Sequence, residues 1–457
     1  VIPVLTPEEM ARVDRAAPEP FEVLVRRAAG AVARSAVALL GGTYGRRVVV
    51  VAGPGNNGAD GRVAAGLLAD RGVRTVLVDA TEAPTVLPAS DLVIDAAFGT
   101  GFRGEYAFPD TDGAPVLAVD VPSGVSGLTG RSSGRPAHAV ATVTFAALKP
   151  GLLLGDGPAF SGAVELADIG LVPSGGRAGL VTDDDVLAWV PDRAPDDHKW
   201  RHAVRIVGGS PGMTGAPSLA ATAAFRSGAG YVRLSVPGES DVPAPLETVV
   251  VPVPGRGWAD EVLADLHRFR VLAVGPGLGR SSDAGAGVRE VLDGAAVPVV
   301  VDGDALWLLG ADVADAVRGR PAPTVLTPHD GEFERLTGAP PGEDRMEAAR
   351  SLATATGTVV LLKGPTTIVA DPDGSVLLVR SGDARLATAG TGDVLTGIVA
   401  AFLACGAEPA RAAAAAAHLH GRAAATCAER GTVADDVARA LPAAWSHLGD
   451  GSTGAAI

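Results

Sequence analysis

Cysteine is almost absent: Cys405 and Cys427 are the only two in 457 residues, and both fall in alanine-rich stretches with a helical pattern. That argues against a disulfide framework or a cysteine metal site and leaves two core thiols as the expectation. Long apolar runs are missing too, since none approaches the roughly 20 residues needed to span a bilayer. Residues 1–15 carry neither a basic n-region nor an apolar h-region, so a soluble, cytoplasmic protein with no membrane partner is expected. Positive charge is in deficit. A formal net charge of -14 argues against nucleic acid as a partner and means that anionic ligands must be held by local groups. Aromatic residues are scarce, at 4%, beside sixty glycines. That composition alone suggests low complexity, but apolar β-branched runs recur throughout and predict packed strands.

What is present is enough apolar material, 47% of the chain, to build two cores. A chain of this length exceeds what one core usually organises, so two domains of roughly 200 residues each are expected. Residues 173–177 and 191–197 are rich in proline, glycine and aspartate, and new strand periodicity begins just after the second stretch. The join is therefore placed there, giving domains 1–191 and 192–457.

In the first half, Phe21 to Leu40 has a helical pattern, and the apolar run Arg47 to Ala52 enters Gly53-Pro54-Gly55-Asn56-Asn57-Gly58-Ala59-Asp60-Gly61 before another helix. Further strands are predicted at 75–78, 92–94, 116–119 and 141–145, as in a doubly wound parallel sheet. Ligands of such sheets bind beyond the strands' carboxyl ends. The loops at those ends are Asn56 to Gly61, Asp95 to Gly104, and Asp120-Val121-Pro122-Ser123-Gly124. The first is no dinucleotide fingerprint, because its glycine spacing is wrong. Asn57, Asp95 and Ser123 offer hard oxygen ligands to a monovalent or divalent cation, and Asp120 an acid or base. Taken singly, each also fits an ordinary Asx or Ser turn.

In the second half, strands predicted at 204–207, 271–274, 297–301, 324–326 and 359–362 lead into polar or glycine-rich loops. Thr388-Ala389-Gly390-Thr391-Gly392-Asp393 then opens an apolar, alanine-rich helix. A helix starting near Thr391 turns its first N–H groups toward the loop as an anion hole, with Asp393 beside it to accept a hydroxyl proton during phosphoryl transfer. Lys363 can neutralise phosphate charge and Thr367 can hydrogen-bond it. His418 and His420, two apart on a helical pattern, face diverging directions, which argues against a metal there.

Together these loops are specific. Asn56 to Gly61, Asp95 to Gly104, Asp120 to Gly127 and Thr144 to Gly151 resemble the NAD(P)H-hydrate epimerase domain over most of residues 1–180. The resemblance implies a Rossmann-like three-layer α/β/α fold. It implies potassium ligands at Asn57, Asp95 and Ser123, and substrate contacts at Asn56, Asn57, Gly58, Ala59, Asp60, Gly99, Thr100, Gly101, Phe102, Arg103, Gly104, Glu105 and Asp120. Asp120 is the candidate for moving the proton. Ala59 stands where that family usually has glycine.

Thr327 to Glu332, Lys363 to Thr367 and Leu386 to Gly397 are similar to the ADP-dependent NAD(P)H-hydrate dehydratases, members of the ribokinase-like superfamily with an α/β/α fold. By that resemblance Lys363, Gly364, Pro365, Thr366, Thr367 and Gly392 bind the nucleotide, and Ala216, Gly279, His329 and Asp393 contact the hydrate, with Asp393 catalytic. The implied activity is repair of damaged nicotinamide cofactors. The R and S forms of NADHX and NADPHX are interconverted, and the S form is dehydrated with Mg2+ and ADP to give NAD(P)H, AMP and phosphate. A homo-oligomer is the expected assembly. Two rivals stay open at this stage: a ribokinase-like small-molecule kinase using ATP, and a first domain that only binds and regulates.

Overall fold

Parallel strands buried on both faces need near-continuous apolar sequence, and the chain supplies it twice. The computed structural model describes residues 1–449. Contacts divide these into two compact units, Ile2–Ala178 and a second from Gly179 onward.

The first unit holds a six-stranded sheet. From edge to edge it runs Arg74–Asp79, Arg47–Ala52, Leu92–Ala96, Val116–Val119, Ala141–Phe145, Ala163–Ala167, and neighbouring strands are parallel. Side chains alternate between faces. Val48, Val50, Leu92 and Ile94 pack with Ala28, Val32 and Ala36 of the helix Phe21–Leu40 and with Ala64 and Leu68 of the helix Asn56–Ala69. Val49, Val51 and Val93 pack on the other face with Leu87, Phe108 and Ala139 from connecting segments. Because all strands are parallel, their carboxyl ends, and the loops after Ala52, Ala96 and Val119, meet at one edge.

The second unit is built on a longer sheet. Seven parallel strands run in the order Val249–Val250, Tyr231–Ser235, Ala203–Val207, Val271–Val274, Val299–Val301, Thr324–Leu326, Val359–Leu362. Thr367–Ala370 and Val376–Val379 then continue the sheet antiparallel. Helix Thr391–Ala404 lies close against helix Gly215–Arg226, and only glycine permits this: a Cβ at Gly397 would fall 2.2 Å from the Ala220 carbonyl oxygen. No helix among the described residues is long and apolar enough to cross a membrane.

The units part at Ala178 and Gly179, earlier than the join placed at 191/192. Strand Ala178–Leu180 lies beside Val376–Val379, and the Val181 N–H donates to the Leu378 carbonyl at 3.0 Å. Helix Asp183–Trp189, started by a Thr182–Asp185 capping box, buries Val186 in the second core. Breaker-rich composition marks a loop, whereas hydrogen bonds and burial decide which core a segment joins.

One glycine at the first sheet's edge is a stability determinant. A Cβ on Gly53 would lie 1.8 Å from the Ala97 carbonyl oxygen, so Gly53→Ala must push two loops apart. The expected cost is about 3 kcal/mol, the upper end for overpacking, read as a lowered urea midpoint of the first unit.

Candidate functional site

At the first sheet's carboxyl edge, helix Asn56–Ala69 begins on an extended Gly55 with no side-chain cap, leaving its first N–H groups for an anion. Asn57, in its first turn, is 8% exposed, and both Oδ1 and Nδ2 are buried without a hydrogen-bond partner. An unsatisfied buried amide costs stability that a ligand would restore. Asp120 follows strand Val116–Val119 in the left-handed region at φ 66°, a conformation held at a cost of about 1 kcal/mol or more. Its carboxylate lies 2.6 Å from the Lys149 ammonium, which is almost fully buried. Thr144 Oγ1 is 3.2 Å from the same carboxylate and 2.9 Å from Lys149 Nζ, which also donates to the Phe145 carbonyl at 3.0 Å.

Asp95 is fully buried and accepts from Ser123 Oγ at 2.5 Å, from the Ser123 N–H at 2.8 Å and from the Ala97 N–H at 3.2 Å. Burial nevertheless pushes its pKa up to about 6. Asp60 is raised further, to about 8, first by burial and then by the charges of Asp120 and Asp14. A cleft of about 790 Å3 is lined by Asn56, Asn57, Asp60, Gly99 to Arg103, Asp120 and Lys149, with Asp14 at its rim. Asp95 and Ser123 are bonded to each other outside that lining. Gly58, Ala59, Gly104 and Glu105, expected as substrate contacts, do not line it either. Gly58 has a packing role instead, because a Cβ there would sit 1.8 Å from the Gly53 carbonyl oxygen.

In the second unit, Gly390 at φ 92° caps helix Thr391–Ala404 and places Asp393 in its first turn. Lys363, just past strand Val359–Leu362, sends its ammonium to Asp302 Oδ1 at 2.9 Å and lies 3.6 Å from Glu332 Oε2. A Cβ on Gly392 would be 3.6 Å from that ammonium, so the glycine leaves room beside the charge. Asp302 is 2% exposed and also accepts from Thr327 Oγ1 at 2.7 Å and Thr396 Oγ1 at 2.6 Å. Burial works against its charge, but Lys363 and the two hydroxyls outweigh it and hold the carboxyl below the usual range. Burial likewise opposes the Lys363 charge, and Asp302 and Glu332 overcome it. Asp393 shows the opposite balance: burial first, then Asp302, raise it to about 7 despite Lys363.

His329 caps helix Asp330–Thr337. Its Nδ1 accepts from the N–H groups of Gly331 and Glu332 at 3.1 and 3.2 Å, which leaves the proton of a neutral ring on the exposed Nε2. Gly279 donates its N–H to Asp304 at 2.9 Å, and Asp304 is one of the charges raising Asp393. Ala216 lies near Gly277, which would bring a Cβ to 3.1 Å of it. Gly364 and Pro365 are exposed, Thr366 is buried, and Thr367 opens the antiparallel strand. The polar groups that sequence reasoning missed are Lys149, Asp302, Thr396 and Asp14. Two of these carried a positional signal: Asp302 directly follows the predicted strand 297–301, and Thr396, three residues after Asp393, lies on the same side of the helix.

Three comparisons bear on this geometry. Residues 204–443 match the family model described as NAD(P)H-hydrate dehydratase, and residues 21–86 and 78–151 match that of the YjeF-related protein N-terminus. The chain is 40% identical over 428 residues to the bifunctional NAD(P)H-hydrate repair enzyme Nnr of Mycobacterium tuberculosis (strain CDC 1551 / Oshkosh), covering 86% of this chain and 87% of the relative. It is 36% identical to the protein of the same name from Moorella thermoacetica, covering 97% of each. Among solved structures, the ADP/ATP-dependent NAD(P)H-hydrate dehydratase of Bacillus subtilis, co-crystallised with ATP/Mg2+, is similar at 31% identity with a TM-score of 0.51. That similarity covers 58% of this chain and 97% of the other.

Proposed function

The chain belongs to the family of bifunctional NAD(P)H-hydrate repair enzymes, and from that premise we propose how its residues divide the work. The first unit interconverts the R and S hydrates of NADH and NADPH. The second dehydrates the S form at the expense of ADP. The observation that carries the second assignment is Asp393: a carboxyl raised to about 7, at a glycine-capped helix start, close enough to the Lys363–Asp302 pair to feel both charges.

In the second unit, Asp393 takes the proton of the C6 hydroxyl as its oxygen attacks the β-phosphorus of ADP, and AMP leaves. The N–H groups of Gly392 and Asp393, in the first turn of helix Thr391–Ala404, hold the transferring group, and Lys363 offsets its charge. His329 offers its Nε2 hydrogen to the hydrate. Loss of phosphate from C6 with a C5 proton restores the dihydropyridine. Magnesium would enter with the nucleotide and would supply charge neutralisation at the transferring phosphate, beside Lys363.

In the first unit, Asp120, held by Lys149 and Thr144, is the base for the hydrate. Potassium would be held by Asn57, Asp95 and Ser123, and would supply a fixed positive charge to the first unit; the partnerless Asn57 amide suits an oxygen-seeking cation. A homo-oligomer remains the proposed assembly, to be read by sedimentation.

The test is recovery of dihydronicotinamide absorbance from an equilibrated mixture of both hydrates with magnesium and either ADP or ATP. Full recovery with ADP is expected. No recovery with either nucleotide would overturn the repair reading and point to a kinase of another substrate. Replacing potassium by tetramethylammonium should slow epimerisation roughly a hundredfold, in line with losing one fixed charge contact, while dehydration of purified S hydrate continues.

A further inference from the structure

The first unit presents carboxyls in contrasting states, and the contrast assigns a role that its fold alone does not. Asp120 is tied to Lys149 and Thr144, and Asp95 to Ser123. Asp60, on the cleft wall and 8% exposed, has no hydrogen-bond or ion-pair partner among the described residues. Among the described residues no side chain stabilises the charge of a carboxyl so placed, and burial favours its protonated form. Asn57, one turn earlier on the same helix, independently marks the space as a ligand's, because its amide is more than nine-tenths buried, lines the cleft and has no partner. Two carboxyls in one cleft whose surroundings favour opposite protonation states form an acid and a base.

We propose that Asp60 is the proton donor of the epimerase, working with Asp120 as acceptor to open and reclose the hydrated ring. The inference rests on the epimerase reading of this unit. The hydrate is a hemiaminal at C6. Asp120 removes the hydroxyl proton, the C6–N1 bond breaks as the C6–O bond becomes a carbonyl, and Asp60 delivers its proton to N1. Rotation of the free aldehyde and the reverse transfers close the ring on the other face. No oxidant, reductant or net proton is consumed. The other ionisable groups facing the cleft are Glu8, Asp14, Glu19, Arg103 and Lys149.

The experiment uses the full-length chain and purified R hydrate, following its conversion to S by chromatography. Dehydration of purified S hydrate by the same preparation controls for the second unit, and an unchanged urea midpoint of the first unit controls for the folding of the variant. Wild-type kcat should fall as pH rises past about 8, where Asp60 loses its proton. Asp60→Asn should lower kcat about a hundredfold or more, with KM within threefold of wild type and no fall above pH 8 in the residual rate. Asp60→Glu, which restores an acid, should recover part of the rate and the high-pH fall. A kcat for Asp60→Asn within about threefold of wild type, or a high-pH fall that survives the substitution, overturns the donor role. A wild-type chain that dehydrates S hydrate but never converts R overturns the epimerase reading itself.

Discussion

Asp393→Asn leaves the full-length chain unable to regenerate NAD(P)H from the S hydrate, with a rate at least about a thousandfold below wild type while the nucleotide still binds. The magnitude follows from the number of duties one carboxyl has. General-base assistance is worth about 10²–10⁴, and the hydroxyl must also be aligned with the phosphorus, a contribution that a misplaced amide forfeits. Asparagine preserves the shape and the helix start, so the loss should appear in kcat. The pH profile gives the sign. Asp393 acts ionised, and burial together with the charge of Asp302 raises it to about 7, so wild-type dehydration should rise with pH through 7 and level off above it. A rate independent of pH between 5.5 and 8, or an asparagine variant within tenfold of wild type, would remove Asp393 from the reaction.

The second large effect separates chemistry from stability at Asp120. Asp120→Asn should stall recovery from mixed hydrates at the S fraction, once slow spontaneous epimerisation is subtracted. It should also destabilise the first unit, because the Lys149 side chain is 2% exposed and its ammonium loses its carboxylate. A buried charge stripped of its partner costs about 3–5 kcal/mol. The double variant Asp120→Asn with Lys149→Met removes both charges, and much of the stability should return. Epimerisation should not. Recovery of epimerase activity in the double variant would show that the pair holds the fold and that the proton is moved by another group. Chemical denaturation monitored on the isolated chain and chromatography of the two epimers provide the two readouts.

Much of this was legible before any coordinates. The strand, glycine loop and helix order around Asn56 to Gly61 is local, and so is the helix start at Gly390. The alternation of apolar runs with polar loops puts Asp95, Asp120 and Lys363 near strand ends, where the structure has them. The turn after Lys363 has the residues expected of a nucleotide loop, and the structure makes it the reversal into Thr367–Ala370, which pairs antiparallel with Val359–Leu362. Four residues of turn look alike in either role. The division by contacts at Ala178 and Gly179 is hidden in the sequence for a related reason, since the segment 179–190 shows its allegiance only through Leu378 and the core around Val186.

Charge states were not legible at all. Asp302 and Lys363 lie 61 residues apart, and Thr396 reaches Asp302 across 94. Asp60 and Asp120 are the same residue type in equally polar loops, yet one has an ammonium 2.6 Å away and the other has no partner. The sequence by itself determined the order of elements, the glycines that let backbones approach, and the family, because periodicity, turn chemistry and motif spacing are properties of neighbours along the chain. Only the tertiary structure decided which carboxyls face an ammonium and which lie buried without a partner, which amide lacks a partner and where one core ends. Burial and Coulomb interactions depend on distance in space, and folding sets that distance among residues far apart in the chain.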